Sequence, residues 1–403
     1  MHLIQCFANL TSEIVRMNKL EESVLPHRQH GLDSLRGLGV MLVALYVFAS
    51  GTVSLDIQST IHVELKSHLE GSIWDGLHLF DLAMPLFLFC TGASLVFFIQ
   101  NNPANQTIGI AFRCLALIAI GMLWENLLWE GGLRWTGPLH HIALATLLVF
   151  GCLRLLPPIG QLGLGLFILI NYFYLISSYQ VAPYTDTNLK PIYPYGFQNN
   201  LLAYIDSLYL PGNKLFGNWD TYGLTSIIAS LPVVLVGSLS VTWCLTKSSH
   251  KRYLLTFAAG AGIATGGFLI SSEIPINHYL WTPSFALISI GVLLCLLVAF
   301  SILATHETLL ATIGRNSLLF VLLLGICHAG NLSLINIKLA LILFPEAMQQ
   351  SGLIAVALLE VGLLFGNAWL LRRQQWYFTV NRLLRRLRGW SSTSTPTEAS
   401  PSL

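Results

Sequence analysis

Long uncharged apolar runs alternate with short polar joints along most of the chain. Runs at roughly 34–53, 77–99, 106–127, 138–156, 159–178, 223–246, 252–271, 283–304, 316–331 and 352–371 each approach the ~20 mainly apolar residues that cross a hydrocarbon core as a helix. Helices are the reading because an unpaired backbone N–H or C=O cannot be left in lipid. The expected fold class is all-α: a polytopic transmembrane helical bundle of about 10 (10–11) spans. The stretch 333–345 is apolar but short, and it predicts a re-entrant or interfacial helix rather than an eleventh span.

Composition agrees with lipid as the main solvent. Of 403 residues, 54% are apolar and 10% charged, against about 25% charged in a soluble domain. A net charge of +2 excludes nucleic acid as a bulk electrostatic partner, because duplex binding needs a concentrated basic face. The seven cysteines are scattered without a CxxC pair, so neither a metal site nor a disulfide framework is expected. Residues 1–30 carry charges at Glu13, Arg16, Lys19, Glu21 and Glu22 and lack a signal-type apolar core; they are expected to remain as a cytoplasmic segment. Residues 31–375 form the transmembrane domain. In 376–403, the run WYFTVNRLLRRLRGW from Trp376 to Trp390 predicts an amphipathic helix on an anionic leaflet, followed by a disordered Ser/Thr/Pro tail.

If the N-terminus is cytoplasmic, ten spans return the C-terminus to the same side. Most of the 21 basic residues then fall inside, including Arg36, Arg113, Arg154, Arg252, Arg315 and Arg372. Only Lys66, Arg134, Lys190, Lys214 and Lys338 lie outside. This fits the positive-inside rule and predicts N-in, C-in. The two sizeable loops, roughly 54–76 and 179–222, are then external. The second is rich in Tyr, Pro, Asn and Asp, a composition that suits stacking on a sugar or, equally, an interfacial aromatic belt.

Ionisable groups in or beside spans are costly, and are either functional or paired. Asp33 and Arg36 share one helix face at i,i+3. Arg36 is a local ion pair or a guanidinium offered to a cofactor phosphate. Asp81 opens the second span four residues before Pro85, with His78 three residues upstream and His68 in the preceding loop. An aspartate that orients a histidine base is one reading, and a carboxylate facing the helix dipole is the other. Arg134 precedes Pro138, and His140 and His141 follow in the first turn of the fourth span, about 100° apart on the helix. Metal-ligand spacing is absent. Glu125 and Glu360 are further intramembrane carboxylates without an assigned role.

The ordered fragments SLRG at Ser34–Gly37, WDGLHLFDLAMPLFLFCTG at Trp74–Gly92, LRWTGPLHHIAL at Leu133–Leu144, YIDSLYLPG at Tyr204–Gly212, INHYLWTPSFAL at Ile276–Leu287 and IGRNSLLF at Ile313–Phe320 run almost the whole chain. Together they resemble the heparan-α-glucosaminide N-acetyltransferase family and its bacterial relatives among membrane acyltransferases. The resemblance implies transfer of an acetyl group from cytoplasmic acetyl-CoA to an amino sugar or glycan hydroxyl on the outer face; no metal is expected, from the missing ligand spacing. It implies a catalytic histidine three residues before Trp74 and a partner aspartate at Asp81. This chain has Gly71 at that histidine position, so His68 is the candidate base. It also reads Tyr46-Val47-Phe48 where the family has a polar residue, and His140-His141 where Gln-Arg is common.

On that resemblance, His68 and Asp81 are the catalytic candidates. Arg36, Arg113 and His141 are expected to face acetyl-CoA, and Trp74, Arg134, His140 and Asn277 to contact the acceptor. Direct transfer and a ping-pong route through an acetyl-histidine both stay open. Partners are membrane lipids and a sugar or glycan acceptor, with a homodimer also open, and the expected location is a bacterial cytoplasmic (inner) membrane. Two rivals remain: a transporter of a glycan or lipid intermediate, and an inactive envelope scaffold, for which Gly71 is the argument.

Overall fold

The computed structural model describes residues 30–53, 71–101, 106–128, 133–178, 194–198, 200–245, 249–304, 306–329, 335, 342, 349–374 and 376. The candidate base His68, the N-terminal segment, most of 333–345 and the basic run after Trp376 lie outside these residues. The described chain is helical: α1 His30–Val53, α2 Ala83–Asn101, α3 Gln106–Leu128, α4 Pro138–Leu155, α5 Pro158–Ser178, α6 Leu201–Tyr209, α7 Leu224–Ser240, α8 His250–Leu269, α9 Pro283–Leu303, α10 Leu309–Arg315, α11 Ser317–Ala329 and α12 Gln349–Arg373. A 3₁₀ turn, Phe80–Leu82, leads into α2.

Helix starts follow local chemistry. Proline stands in the first turn of α4 and α9, where its missing N–H costs nothing and its fixed φ suits the helix. Asn200, Ser249 and Thr308 cap α6, α8 and α10 by accepting backbone N–H groups through their side chains, as N-cap residues do. Every one of the expected spans is occupied by helix. Seven described helices are long and apolar enough to cross a membrane, and α10 with α11, bent by 84° at Asn316, makes an eighth. α1 and α12 are two further long helices. The protein is an integral membrane helical bundle.

The bundle is organised around α7, which packs against α2, α4, α5 and α9. At the α2–α7 crossing, a Cβ on Gly92 would run into the carbonyl of Val234, and one on Gly237 into the carbonyl of Phe89. Only glycine lets the two backbones approach this closely. The outward faces of α3, α5 and α8 expose Leu115, Leu123, Phe167, Ile170 and Leu254. Large apolar side chains at the surface of such helices are the faces that meet lipid.

Two ends of the bundle differ. Tyr46, near the end of α1, stacks on Phe80, while Arg36, near its start, reaches Cys90 and Ser94 further along α2. The two helices are therefore antiparallel, and Asp81 and Arg36 mark opposite ends. The segments 71–82, 133–137, 200–223 and 273–282 gather at the Asp81 end. Arg36, Arg154, Arg252 and Arg315 belong to the other.

Candidate active site

Asp81 sits in the 3₁₀ turn ahead of α2 with its side chain completely enclosed. It accepts the backbone N–H of Ser72 at 3.1 and 3.2 Å and that of His78 at 2.7 Å. His78 thus meets Asp81 through its backbone N–H.

The imidazole at Asp81 comes from elsewhere. His278 Nδ1 lies 3.2 Å from Asp81 Oδ1 and 3.2 Å from Ser72 Oγ. Its side chain retains 17% exposure. Burial pushes the ring's pKa down from 6.5 to about 4, opposed by the Asp81 charge and assisted by His78, so the ring is neutral at physiological pH. His278 lies in the INHYLWTPSFAL segment, next to Asn277, the residue of that segment expected from the sequence to contact the acceptor. The only signal for it in the sequence is a histidine in a short loop on the same side of the bundle as Asp81, which does not by itself show their contact.

That loop is firmly held. Asn277 Oδ1 accepts the Leu280 N–H at 2.9 Å, Thr282 Oγ1 donates to the Pro275 carbonyl at 2.8 Å, and the Tyr172 hydroxyl donates to the Leu280 carbonyl at 2.5 Å. Trp281 has φ of 52°, a left-handed conformation that a large side chain adopts only when its surroundings enforce it. The opposing loop is tied to it: Gly76 N–H donates to the Ile276 carbonyl at 2.9 Å, and Ile276 N–H to Asp75 Oδ1 at 2.9 Å. Gly76 has φ of 126°, which a residue with a Cβ rarely adopts.

Beside His278 lies an aromatic cluster. Trp74 stacks on Tyr279 with ring centroids 6.0 Å apart and meets Trp219 and Phe197 edge-on. Tyr279 in turn packs against His278 at 3.7 Å. Trp74 is half-buried and its indole N–H donates to the Tyr195 carbonyl at 2.9 Å. Asn277 is fully buried, and its Nδ2 has no hydrogen-bond partner among the described residues.

Arg134 is buried and braces this end from within. It forks onto Asp220 through Nε at 2.9 Å and Nη2 at 3.0 Å, and Nη1 donates to Glu125 at 2.6 Å. This gives Glu125 the partner the sequence could not name. Asp220 also accepts from Thr136, Leu215 and Tyr222, and its own N–H donates to Asp206. Burial pushes the Asp206 carboxyl up to about 6, against the two N–H groups it accepts. His140 is buried with neither ring nitrogen partnered among the described residues.

His141 pairs through Nε2 with Ser230 at 2.7 Å and packs against Tyr222 and Trp281. It is therefore at the Asp81 end, apart from the basic cluster with which the sequence grouped it; the first turn of α4 lies there, not at the Arg36 end. Arg36 forms the expected ion pair with Asp33 at 3.8 Å, and Asp33 is shared with Arg315 at 3.2 Å. Arg113 lies close enough to Arg36 for their charges to repel, and it makes no ion pair or hydrogen bond among the described residues. A guanidinium held beside another without a carboxylate of its own is suited to an anion with several oxygens, such as a phosphate.

Residues 28–206 match the family model described as heparan-alpha-glucosaminide N-acetyltransferase, catalytic. No curated protein matches the chain. The matched segment contains Gly71, Trp74, Asp81, Arg36, Arg113 and Arg134, and ends before His278. Over residues 28–206, under half of the chain, the protein is thus similar to the catalytic domain of heparan-α-glucosaminide N-acetyltransferase.

Proposed function

We propose that the protein takes an acetyl group from acetyl-CoA held at the Arg36 end of the bundle and delivers it to an amine or hydroxyl of a sugar at the Asp81 end. The observation that carries this is the pairing of an enclosed carboxylate, Asp81, with an imidazole beside an aromatic cluster, while the unpaired Arg113 lies at the opposite end. Acetyl-CoA supplies the activated thioester. Arg113 and Arg36 fit its phosphates by charge and donor geometry. Asp81 holds the imidazole in one tautomer and stabilises its protonated form, and the imidazole accepts the acceptor's proton as the new bond forms. Trp74 and Tyr279 offer faces for an apolar sugar surface. The Arg134–Asp220–Glu125 network positions the loops and does no chemistry. The charge distribution favours the Arg36 end as cytoplasmic.

The test is acetyl transfer by the purified protein in detergent from labelled acetyl-CoA to glucosamine. Wild type forms labelled N-acetylglucosamine, and Asp81→Asn lowers the rate by about 10²-fold or more, the scale of a lost acid–base partner. No labelled product from wild type with glucosamine or an α-linked glucosaminide would overturn the reading.

A further inference from the structure

We infer that His278 is the general base of this protein, brought to Asp81 from a loop far along the chain to the place a histidine at position 71 would otherwise fill. The inference rests on the acetyltransferase reading and names the residue that performs its proton transfer. Three independent observations converge on it.

The first is space. A Cβ built on Gly71 would lie 2.7 Å from Asp81 Oδ1 and 3.4 Å from His278 Cε1. Position 71 therefore faces the same carboxylate oxygen that His278 engages: a side chain there would crowd Asp81 and lie in ordinary contact with the His278 ring, and glycine leaves that oxygen open to His278.

The second is orientation. With Nδ1 directed at Asp81 and Ser72, an Nδ1–H tautomer leaves the lone pair on Nε2. Nε2 has no hydrogen-bond partner among the described residues and is not among the fully enclosed unpartnered atoms, on a side chain that keeps 17% exposure. The basic nitrogen is thus left for an acceptor, on a ring that packs against Tyr279.

The third is rigidity. The turn from Pro275 to Ser284 is pinned by the side chains of Asn277, Thr282 and Tyr172, and it holds the left-handed Trp281. Backbone strain of this kind persists where the surroundings over-determine a geometry. An imidazole on such a turn is held within the tolerance that proton transfer demands.

In the step assigned to it, Nε2 takes one proton from the acceptor nitrogen or oxygen as that atom bonds the acetyl carbonyl carbon. The carbon–sulfur bond breaks, its electron pair leaves on the CoA sulfur, and the imidazolium returns the proton to that thiolate. The base is regenerated, and no oxidant or further reactant is consumed. Asp81 carries the counter-charge while the ring is protonated. The titratable or charged groups facing the ring are Asp81, His78 and Tyr279.

The experiment compares wild type, His278→Asn, His278→Gln and His68→Ala in full-length detergent-purified protein. Asn keeps a donor for Asp81 and Gln keeps length, and neither can accept the proton. Acetyl transfer from labelled acetyl-CoA to glucosamine should fall about 100-fold or more in both His278 variants. Calorimetric Kd for CoA should stay within about threefold of wild type, which shows that the bundle is intact. Separately, NMR titration of ring-labelled histidine should find His278 with a midpoint well below 6.5, moving lower still in Asp81→Asn, because that charge favours protonation. Transfer retained within about threefold in either His278 variant overturns the assignment, and loss in His68→Ala alone would give the role to His68. An ordinary His278 midpoint that ignores Asp81→Asn also overturns it. A wild type with the shifted, Asp81-dependent midpoint but no transfer overturns the acetyltransferase reading while leaving the pair itself established.

Discussion

At the scale of single residues, the site depends on atoms placed by absence as much as by presence. Gly71→Ala adds one carbon 2.7 Å from Asp81 Oδ1, inside ordinary contact distance. The carboxylate must move, and with it His278. Because misplacement of about 1 Å can cost about 100-fold in rate, Gly71→Ala should lower kcat/KM by about 10- to 100-fold while changing Tm little; an unchanged rate would show that Asp81 has room to spare. Asp206 makes a different residue-level prediction. Its carboxyl is pushed up by burial to about 6 from 3.8, so between these values the folded state binds more protons than the unfolded one. Its contribution to stability is present below about pH 4 and is lost as pH rises through about 6. Asp206→Asn, which cannot ionise, should flatten the fall in Tm between about pH 4 and 6 relative to wild type. A parallel dependence in variant and wild type would place the titration elsewhere.

Elements set how those residues meet. The backbone contact of α2 with α7 at Gly92 and Gly237 aligns the turn carrying Asp81 with the helix that supports His141 through Ser230. Gly92→Val should destabilise the fold by about 1–3 kcal/mol through overpacking, read as a lower Tm in detergent. The elements themselves were legible in the sequence, since a run of some 20 apolar residues admits one solution in lipid. The bend at Asn316 was not, because α10 and α11 are both apolar and no proline marks the break. Asp81 was legible as an isolated carboxylate at a span's start, and the Asp33–Arg36 pair followed from i,i+3 spacing. Its partner His278 was not, because its distance in sequence from Asp81 hides a contact made only when two loops close over one another. His141 and Arg134 likewise could be flagged as polar residues near lipid, but not assigned to an end or an ion pair without the packing.

For the whole molecule, the proposed function implies a division of labour between two ends. Asp81 and Ser94, the Arg36 partner on α2, are separated along that helix by about 20 Å at 1.5 Å per residue. In the proposed reaction, a donor anchored by its phosphates near Arg36 and Arg113 has to reach that far for its thioester to meet His278. Arg113→Gln should therefore weaken CoA binding by about 10- to 100-fold, the scale of a charge-assisted contact. The loss should shrink with added salt, and transfer at saturating acetyl-CoA should be spared. Equal CoA affinity in the variant would remove Arg113 from the donor site.

The most direct test of transfer between the two ends uses proteoliposomes with glucosamine sealed in the lumen and labelled acetyl-CoA added only outside. Molecules inserted with the Arg36 end outward should deposit labelled N-acetylglucosamine inside sealed vesicles. Label appearing only when acetyl-CoA and glucosamine share the same compartment would contradict transfer from one face to the other.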